Sequence, residues 1–155
     1  MSMKRFSALA LVFSGLFSVA LAEPVQTTDL HVVNASTDAS VTFKGQSIAP
    51  GTGNYGGVTD KEDVTVCAND ECHTLTVQDL HQTCIGTESG SSWRIDLLDN
   101  GTKVGSLCAL AENDDDPYYS SVDVTLTIQQ SFDTYSAVFS SGSSSVTDVV
   151  YKGDA

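Results

Sequence analysis

Apolar and polar residues alternate along most of the chain, in short runs separated by turn-forming residues. In the clearest run, residues 122–128, valine, leucine or isoleucine fills every second position, and aspartate or threonine fills the positions between. A strand with one face on a core and one in water has this period of two. Weaker runs of the same kind cover residues 30–33, 41–43, 64–67, 74–77, 93–98, 104–109, 135–139 and 146–151. Because no stretch keeps a helical period, the pattern predicts an all-β fold, a single-domain antiparallel β-sandwich of about nine strands.

Turn and loop signals separate these runs. Asn100-Gly101 stands between two apolar alternations, and Asn-Gly favours a tight type I′ turn because both residues tolerate a positive φ. We therefore predict a hairpin there, at the centre of a sheet. The glycine-rich residues 51–57, the acidic residues 112–116 and the serine-rich residues 140–145 are predicted to be loops. Since recognition residues concentrate on loops, these segments are candidates for binding.

The first 22 residues have the pattern of a secretory signal peptide. A basic pair, Lys4 and Arg5, precedes an uncharged apolar run, and Ala22 closes an Ala-Leu-Ala cleavage signal. An uncleaved anchor helix is the alternative. The predicted organisation is a signal peptide over residues 1–22 and one β-sandwich domain over residues 23–155. The domain is expected to be secreted, to the periplasm or to the extracellular medium.

The charge of the chain narrows the classes of partner. The sequence has 7 basic and 20 acidic residues, a formal net charge of −13. Cleavage after residue 22 removes two of the basic residues and none of the acidic ones, which leaves −15. A field of this sign repels phosphate backbones and anionic lipid headgroups. We therefore exclude nucleic acid as a partner, whereas cationic and zwitterionic ligands remain compatible.

Four cysteines, Cys67, Cys72, Cys84 and Cys108, lie in the part predicted to be exported, where thiols are usually oxidised. Two disulfides are expected, with three possible connectivities. Cys67 and Cys72 bracket a four-residue polar loop between two alternating runs, so they could face each other across a hairpin. This arrangement favours pairing Cys67 with Cys72 and Cys84 with Cys108.

Metal binding and catalysis are the chemical alternatives. His73 and His81 could join the first cysteine pair around a metal ion, but their spacing matches no common zinc pattern. Asp114, Asp115 and Asp116 offer oxygen atoms to calcium without the spacing of a calcium loop. The histidines are far apart, and neither a Gly-x-Ser-x-Gly elbow nor a paired acid motif occurs. The sequence therefore predicts neither an enzyme nor a cofactor.

An ordered series of motifs resembles the aegerolysin family. In chain order these are Val-Thr-Phe-Lys at 41–44, Gly51 with Tyr55, Asp-Lys-Glu at 60–62, Gly-Thr-Glu-Ser-Gly at 86–90, Ile-Asp-Leu-Leu-Asp at 95–99, Thr-Lys-Val-Gly at 102–105, Asp-Thr-Tyr at 133–135 and the final run at 146–151. The resemblance implies a compact β-sandwich that binds sphingolipid headgroups, or sphingomyelin with cholesterol. It also implies a larger pore-forming partner, with this chain as the lipid-targeting component of a haemolysin.

The resemblance also indicates which residues would contact lipid. Glu88 matches the carboxylate of the family's Gly-Thr-Glu motif, and Tyr55 lies in the Gly and Tyr loop. The family's tryptophan-rich loop corresponds to residues 108–119, where acids replace the tryptophans and Tyr118 and Tyr119 are the nearby aromatics. An acidic protein can bind zwitterionic headgroups through interfacial aromatics. The expected lipid-binding residues are therefore Glu88, Tyr55, Tyr118 and Tyr119.

A secreted carbohydrate-binding or adhesive β-sandwich, with calcium held in its acidic loops, is the alternative function. Its signs would be exposed aromatics beside spaced aspartate and asparagine ligands, and residues 113–119 could meet that description. Vesicle sedimentation and a glycan screen with and without chelator would separate the two functions.

Overall fold

The structure, a computed structural model, describes residues 25–84, 92–111 and 119–153. Within these residues the chain forms eleven strands and no helix. The strands are β1 (Val25–Ala35), β2 (Ser40–Phe43), β3 (Gln46–Ser47), β4 (Thr52–Val58), β5 (Lys61–Ala68), β6 (Glu71–Thr83), β7 (Ser92–Asp99), β8 (Thr102–Leu110), β9 (Tyr119–Ser131), β10 (Thr134–Ser141) and β11 (Ser144–Lys152). All nine predicted strands are present, and β3 and β4 are additional.

The strands form two sheets that pack face to face. One sheet has five strands in the order β11-β10-β9-β1-β4, and the other has six in the order β3-β2-β5-β6-β7-β8. The predicted all-β sandwich is thus confirmed, although one pair of strands is parallel: β1 and β9 run together from Val25 beside Tyr119 to Ala35 beside Gln129. These strands are far apart in sequence, so no tight turn forces them to be antiparallel.

The core lies between the two apolar inner faces. In β9 the predicted alternation is confirmed, because Val122, Val124, Leu126 and Ile128 are buried and Asp123 is exposed. The largest fully buried side chains come from both sheets: Phe43, Phe139, Leu30, Leu75, Ile95, Leu97, Leu107, Leu126 and Ile128. The opposite face of the five-stranded sheet, which we call the outer face, is directed away from this core.

The predicted Asn-Gly turn is confirmed, but its place in the sheet is different. Asn100 has φ of 49° and Gly101 has φ of 87°, as a type I′ turn requires. The hairpin that it closes, β7 with β8, lies at the edge of the six-stranded sheet because β8 is the last strand in the order. The prediction of a central hairpin was therefore wrong.

Two of the predicted loops are strands. Residues 51–57 mostly belong to β4, and the serine-rich residues 140–145 form the β10–β11 hairpin with a turn only at residues 142–143. Glycine gives no alternation to recognise, yet it is needed here: a Cβ at Gly56 would lie 2.7 Å from Cζ of Phe43. The third predicted loop, residues 112–116, lies outside the described residues.

The disulfides have the connectivity predicted from the sequence. Cys67 and Cys72 are opposite each other in the β5–β6 ladder and are bonded, and Cys84 is bonded to Cys108. The second bridge links the segment after β6 to β8 across β7, which lies between them in the sheet. A metal site that uses the first pair is wrong, because both thiols are consumed in the disulfide.

Candidate functional site

The predicted lipid-binding residues are not gathered in one place by the described part of the chain. Tyr55 lies in β4, and Tyr119 is the first residue of β9. In the ladders, Tyr55 pairs with His31 and His31 pairs with Thr125. Thr125 is six residues beyond Tyr119, so Tyr55 and Tyr119 are about 20 Å apart along the strand direction. Glu88 and Tyr118 lie outside the described residues, as do Asp114, Asp115 and Asp116.

Tyr55 projects from the outer face at the edge of the five-stranded sheet. Its side chain is 75% exposed. The ring stacks on the imidazole of His31, with 4.0 Å between the ring centroids and 8° between the ring planes. Strand β4 ends the sheet on this side. The stack therefore fixes one face of the tyrosine ring and leaves the other available to a ligand.

Glycines on either side of Tyr55 make this arrangement possible. Gly53 and Gly57 occupy the same face of β4, two residues before and two residues after the tyrosine. A Cβ at Gly53 would lie 2.7 Å from Nε2 of His31, so only glycine leaves room for the imidazole in its present position. A Cβ at Gly57 would meet nothing within 4 Å. The tyrosine ring is consequently unshielded along its own strand.

Two aspartates lie on the same face as the stacked rings, Asp29 beside them and Asp123 one strand further from Tyr55. Asp29 is two residues before His31 on the same face of β1 and pairs with Gly57, which makes it a diagonal neighbour of Tyr55. Asp123 of β9 pairs with Asp29, and both aspartates are exposed. An aromatic face beside carboxylates attracts organic cations, through the ring quadrupole and through charge. We call the set Tyr55, His31, Asp29 and Asp123 the tyrosine site.

Of the tyrosine site, only Tyr55 was predicted from the sequence to bind a ligand. His31 meets Tyr55 through the pairing of β1 with β4, which joins residues 24 positions apart. Asp123 lies beside Asp29 because β1 and β9 pair in parallel. The available signal was alternation, which places these side chains on the outward face of their strands. Alternation does not say which strands become neighbours.

A second group of polar side chains bridges the two sheets. Nδ1 of His73 lies 2.7 Å from Oδ1 of Asp99, and its Nε2 lies 2.9 Å from Oε2 of Glu71. Asp148 of β11, in the other sheet, adds a third carboxyl beside Asp99. We call these four residues the inter-sheet cluster.

In the inter-sheet cluster, the pKa values of Asp148 and His73 are both raised. Burial, a hydrogen bond with Asp99 and the charge of Asp99 raise the pKa of Asp148 to about 7, against an opposing effect of His73. Burial alone would lower the pKa of His73, but its hydrogen bonds to Glu71 and Asp99 outweigh burial and raise it. Because carboxylates occupy both ring nitrogens of His73, neither nitrogen is free to activate a nucleophile. The cluster therefore holds protons without the geometry of a catalytic dyad.

Across residues 25–84, 92–111 and 119–153, no group of three or more histidine, cysteine, aspartate or glutamate side chains is arranged to hold a metal ion. The same part of the chain contains no helix with the length and apolar character needed to cross a membrane.

Comparisons with known proteins identify no relative of this chain. No family model matches the sequence, and neither a curated protein nor a solved structure matches it. The aegerolysin resemblance therefore stays a prediction made from the residues alone.

Proposed function

We propose that this protein is a secreted, non-enzymatic binding protein that recognises zwitterionic membrane lipids by their headgroups, with the tyrosine site as the point of contact. The observation that carries the proposal is the ring of Tyr55, which is 75% exposed and held against His31 beside Asp29. Two disulfides suit an oxidising environment outside the cytoplasm.

The chemistry of a choline headgroup suits this site. A quaternary ammonium has no hydrogen to donate, so it is bound by an aromatic face and by nearby negative charge. Tyr55 supplies the face, and Asp29 and Asp123 supply the charge. Since His31 already holds the ring, binding costs little additional side-chain entropy. A cation–π contact of this kind is worth roughly 0.5–2 kcal/mol.

The net charge of the molecule supports the same ligand class. A formal charge of −13, or −15 after cleavage, repels anionic lipid surfaces, whereas a zwitterionic headgroup carries no net charge. The family resemblance adds sphingolipids as the lipid class and a larger pore-forming protein as the partner. In the proposal, Tyr119 would contact lipid separately from the tyrosine site, given its distance from Tyr55, and Glu88 and Tyr118 stay predicted lipid contacts.

The first test is sedimentation of the protein with vesicles of sphingomyelin and cholesterol. Tyr55→Ala is expected to weaken vesicle binding about five- to tenfold, from the loss of the cation–π contact. Its thermal midpoint (Tm) should stay near the wild-type value, because the ring is mostly exposed. Val149→Ala is a matched control, since Val149 is also exposed on the five-stranded sheet but lies at its opposite edge.

Two results would contradict the proposal. One is vesicle binding by Tyr55→Ala at wild-type strength. The other is failure of the wild-type protein to sediment at micromolar concentration with sphingomyelin, with ceramide phosphoethanolamine or with their mixtures with cholesterol.

A carbohydrate ligand is the second candidate, and the same exposed ring favours it, because sugar rings also stack on tyrosine. A glycan screen with and without chelator tests this alternative. Sugar binding that Tyr55→Ala abolishes, together with no sedimentation on any vesicle, would assign the tyrosine site to a carbohydrate.

A further inference from the structure

Phe132 is the most exposed large apolar side chain of the described residues. It is 92% exposed, compared with 75% for Tyr55, 69% for Leu110 and 50% for Val149. It occupies the tip of the β9–β10 hairpin, where Ser131 pairs with Thr134. At this position the phenylalanine ring gains no stabilisation from burial in the core, so core packing does not explain its presence.

The backbone at Phe132 is strained. Its φ is 56°, whereas Asp133, the other residue of the turn, is not among the residues with positive φ. This is the pattern of a type II′ turn, in which the first central residue is usually glycine. The neighbouring β10–β11 hairpin follows that rule, with Gly142 at the corresponding position and a φ of 59°. The first hairpin therefore presents an aromatic ring where glycine would fit without strain.

Neighbouring segments hold the strained tip in place. Nε2 of Gln130 donates a hydrogen bond of 2.9 Å to the carbonyl oxygen of Phe132. The side-chain oxygen of Gln130 accepts hydrogen bonds from both the backbone nitrogen and the hydroxyl of Thr37, each 2.9 Å long. The backbone nitrogen of Gly153 donates to the carbonyl oxygen of Asp133 at 3.0 Å. The ring is thus carried on a turn that is braced by Gln130 of its own hairpin and by two other segments, at Thr37 and Gly153.

Phe132 lies in a hairpin turn of the sheet that carries the tyrosine site. Tyr55 pairs with His31 and His31 with Thr125, and Phe132 follows Thr125 by seven residues, just beyond the end of β9. The two aromatic side chains are therefore separated by about 23 Å along the strand direction.

We propose that Phe132 is a bilayer anchor, which inserts its ring below the headgroups of a zwitterionic membrane while the tyrosine site holds a headgroup. This inference rests on the proposed lipid-binding function. Phenylalanine inserted at the boundary between headgroups and acyl chains gains the burial that it lacks in the free protein.

The surroundings of Phe132 favour a bilayer over a protein partner. A specific protein interface buries about 800 Å² on each side around an apolar centre. Phe132 is instead 92% exposed at a hairpin tip whose neighbouring residues in the chain, Gln130, Ser131 and Asp133, are polar. A fluid bilayer can surround a single protruding ring. The adjacent Asp133 opposes anionic lipids, and the expected membrane is therefore zwitterionic.

Three variants test the anchor by vesicle sedimentation and by binding of soluble phosphocholine. Phe132→Gly should bind phosphocholine like the wild type but bind sphingomyelin vesicles at least tenfold more weakly, because burial of one aromatic ring is lost. Its Tm should equal or exceed the wild-type value, since glycine relieves the positive φ. Val149→Ser is the matched control, an exposed apolar residue of the same sheet at the edge opposite Tyr55, and should leave vesicle binding unchanged. Phe132→Trp should keep vesicle binding and show fluorescence quenching by lipids with brominated acyl chains.

The outcomes separate the anchor from the proposed function. If Phe132→Gly binds vesicles like the wild type, or if the Phe132→Trp fluorescence is not quenched, Phe132 is no anchor and the tyrosine site can still bind headgroups. If Phe132→Gly loses phosphocholine as well, the residue acts in headgroup binding and the anchor is overturned. If the wild-type protein binds neither vesicles nor phosphocholine, the proposed function fails, and the anchor fails with it.

Discussion

Asp148 carries a carboxyl group that faces the opposite sheet, where both burial and Asp99 oppose its ionisation. Its Oδ2 atom is buried and has no hydrogen-bond partner among the described residues. His73, Asp99 and Glu71 complete the cluster, so three carboxyl groups share one imidazole. At high pH the cluster therefore accumulates negative charge at a contact between sheets, and at lower pH protons neutralise it.

This cluster predicts that the fold is more stable on the acidic side of neutrality. The pKa of Asp148 is raised from 3.8 to about 7, and that of His73 is also raised from 6.5. The folded state thus binds protons more tightly than the unfolded state, and stability falls as pH rises from about 4 to about 7 and through the raised pKa of His73. The Asp148 contribution should be on the order of 1–2 kcal/mol, after allowance for solvent screening at this partly exposed position.

Urea unfolding between pH 4.5 and pH 8.5 measures this dependence. Asp148→Asn should flatten the pH profile, because amide and carboxyl have similar shapes but only the carboxyl ionises. Asp123→Asn removes a charge at an exposed position and serves as the control for general charge repulsion. An Asp148→Asn profile as steep as that of the control would show that the cluster does not govern the pH dependence.

At the scale of elements, β4 shows how a strand without alternation can build a site. It contains three glycines and one aromatic residue. Because the glycines have no side chains, side chains from other strands can come close to the β4 backbone. Gly56 allows Phe43 and Lys44 to pass beneath the strand, and Gly53 leaves the space that the His31 imidazole fills. The position of the His31 ring, and with it the stack on Tyr55, therefore depends on the missing side chain at residue 53.

The glycines of β4 give a matched pair of substitutions. Gly53→Ala places a methyl group 2.7 Å from Nε2 of His31, so the imidazole must move and the tyrosine site should bind its ligand several-fold more weakly. Gly57→Ala adds the same methyl group into open space on the same face and should have little effect on binding. Phosphocholine titration of the two variants is the measurement. Equal affinities would mean that the His31 stack is not needed for binding.

Local patterns in the sequence were sufficient for most elements but not for the way they assemble. Alternation identified β9 and eight other strands because each has a buried and a solvated face. Strand β4 was missed because glycine has no side chain to alternate, and β3 has only two residues. The parallel pairing of β1 with β9 depends on packing between distant segments, which no local pattern records. The same pairing brings Asp123 to the tyrosine site, so the site was only partly predictable.

Because the whole molecule is strongly acidic, the salt dependence of vesicle binding indicates whether recognition relies on net charge. Binding to zwitterionic vesicles involves little net attraction or repulsion at long range, so raising NaCl from 50 to 300 mM should change vesicle affinity less than about twofold. Binding to phosphatidylserine vesicles is expected to be absent at low salt. A steep loss of sphingomyelin binding with salt would instead indicate attraction between opposite charges, contrary to the proposed mode of recognition.

The parallel pair of β1 and β9 also determines the order in which the molecule can fold. The six-stranded sheet uses strands within residues 40–110, mostly joined by short hairpins, whereas the five-stranded sheet needs β1 to meet β9, which begins 94 residues later. Closing so long a segment is slow relative to forming hairpins, and a high contact order delays the rate-limiting step. The core can therefore be completed only when β9 is available. During synthesis β1 therefore has only one of its two neighbouring strands, β4, until β9 has been made.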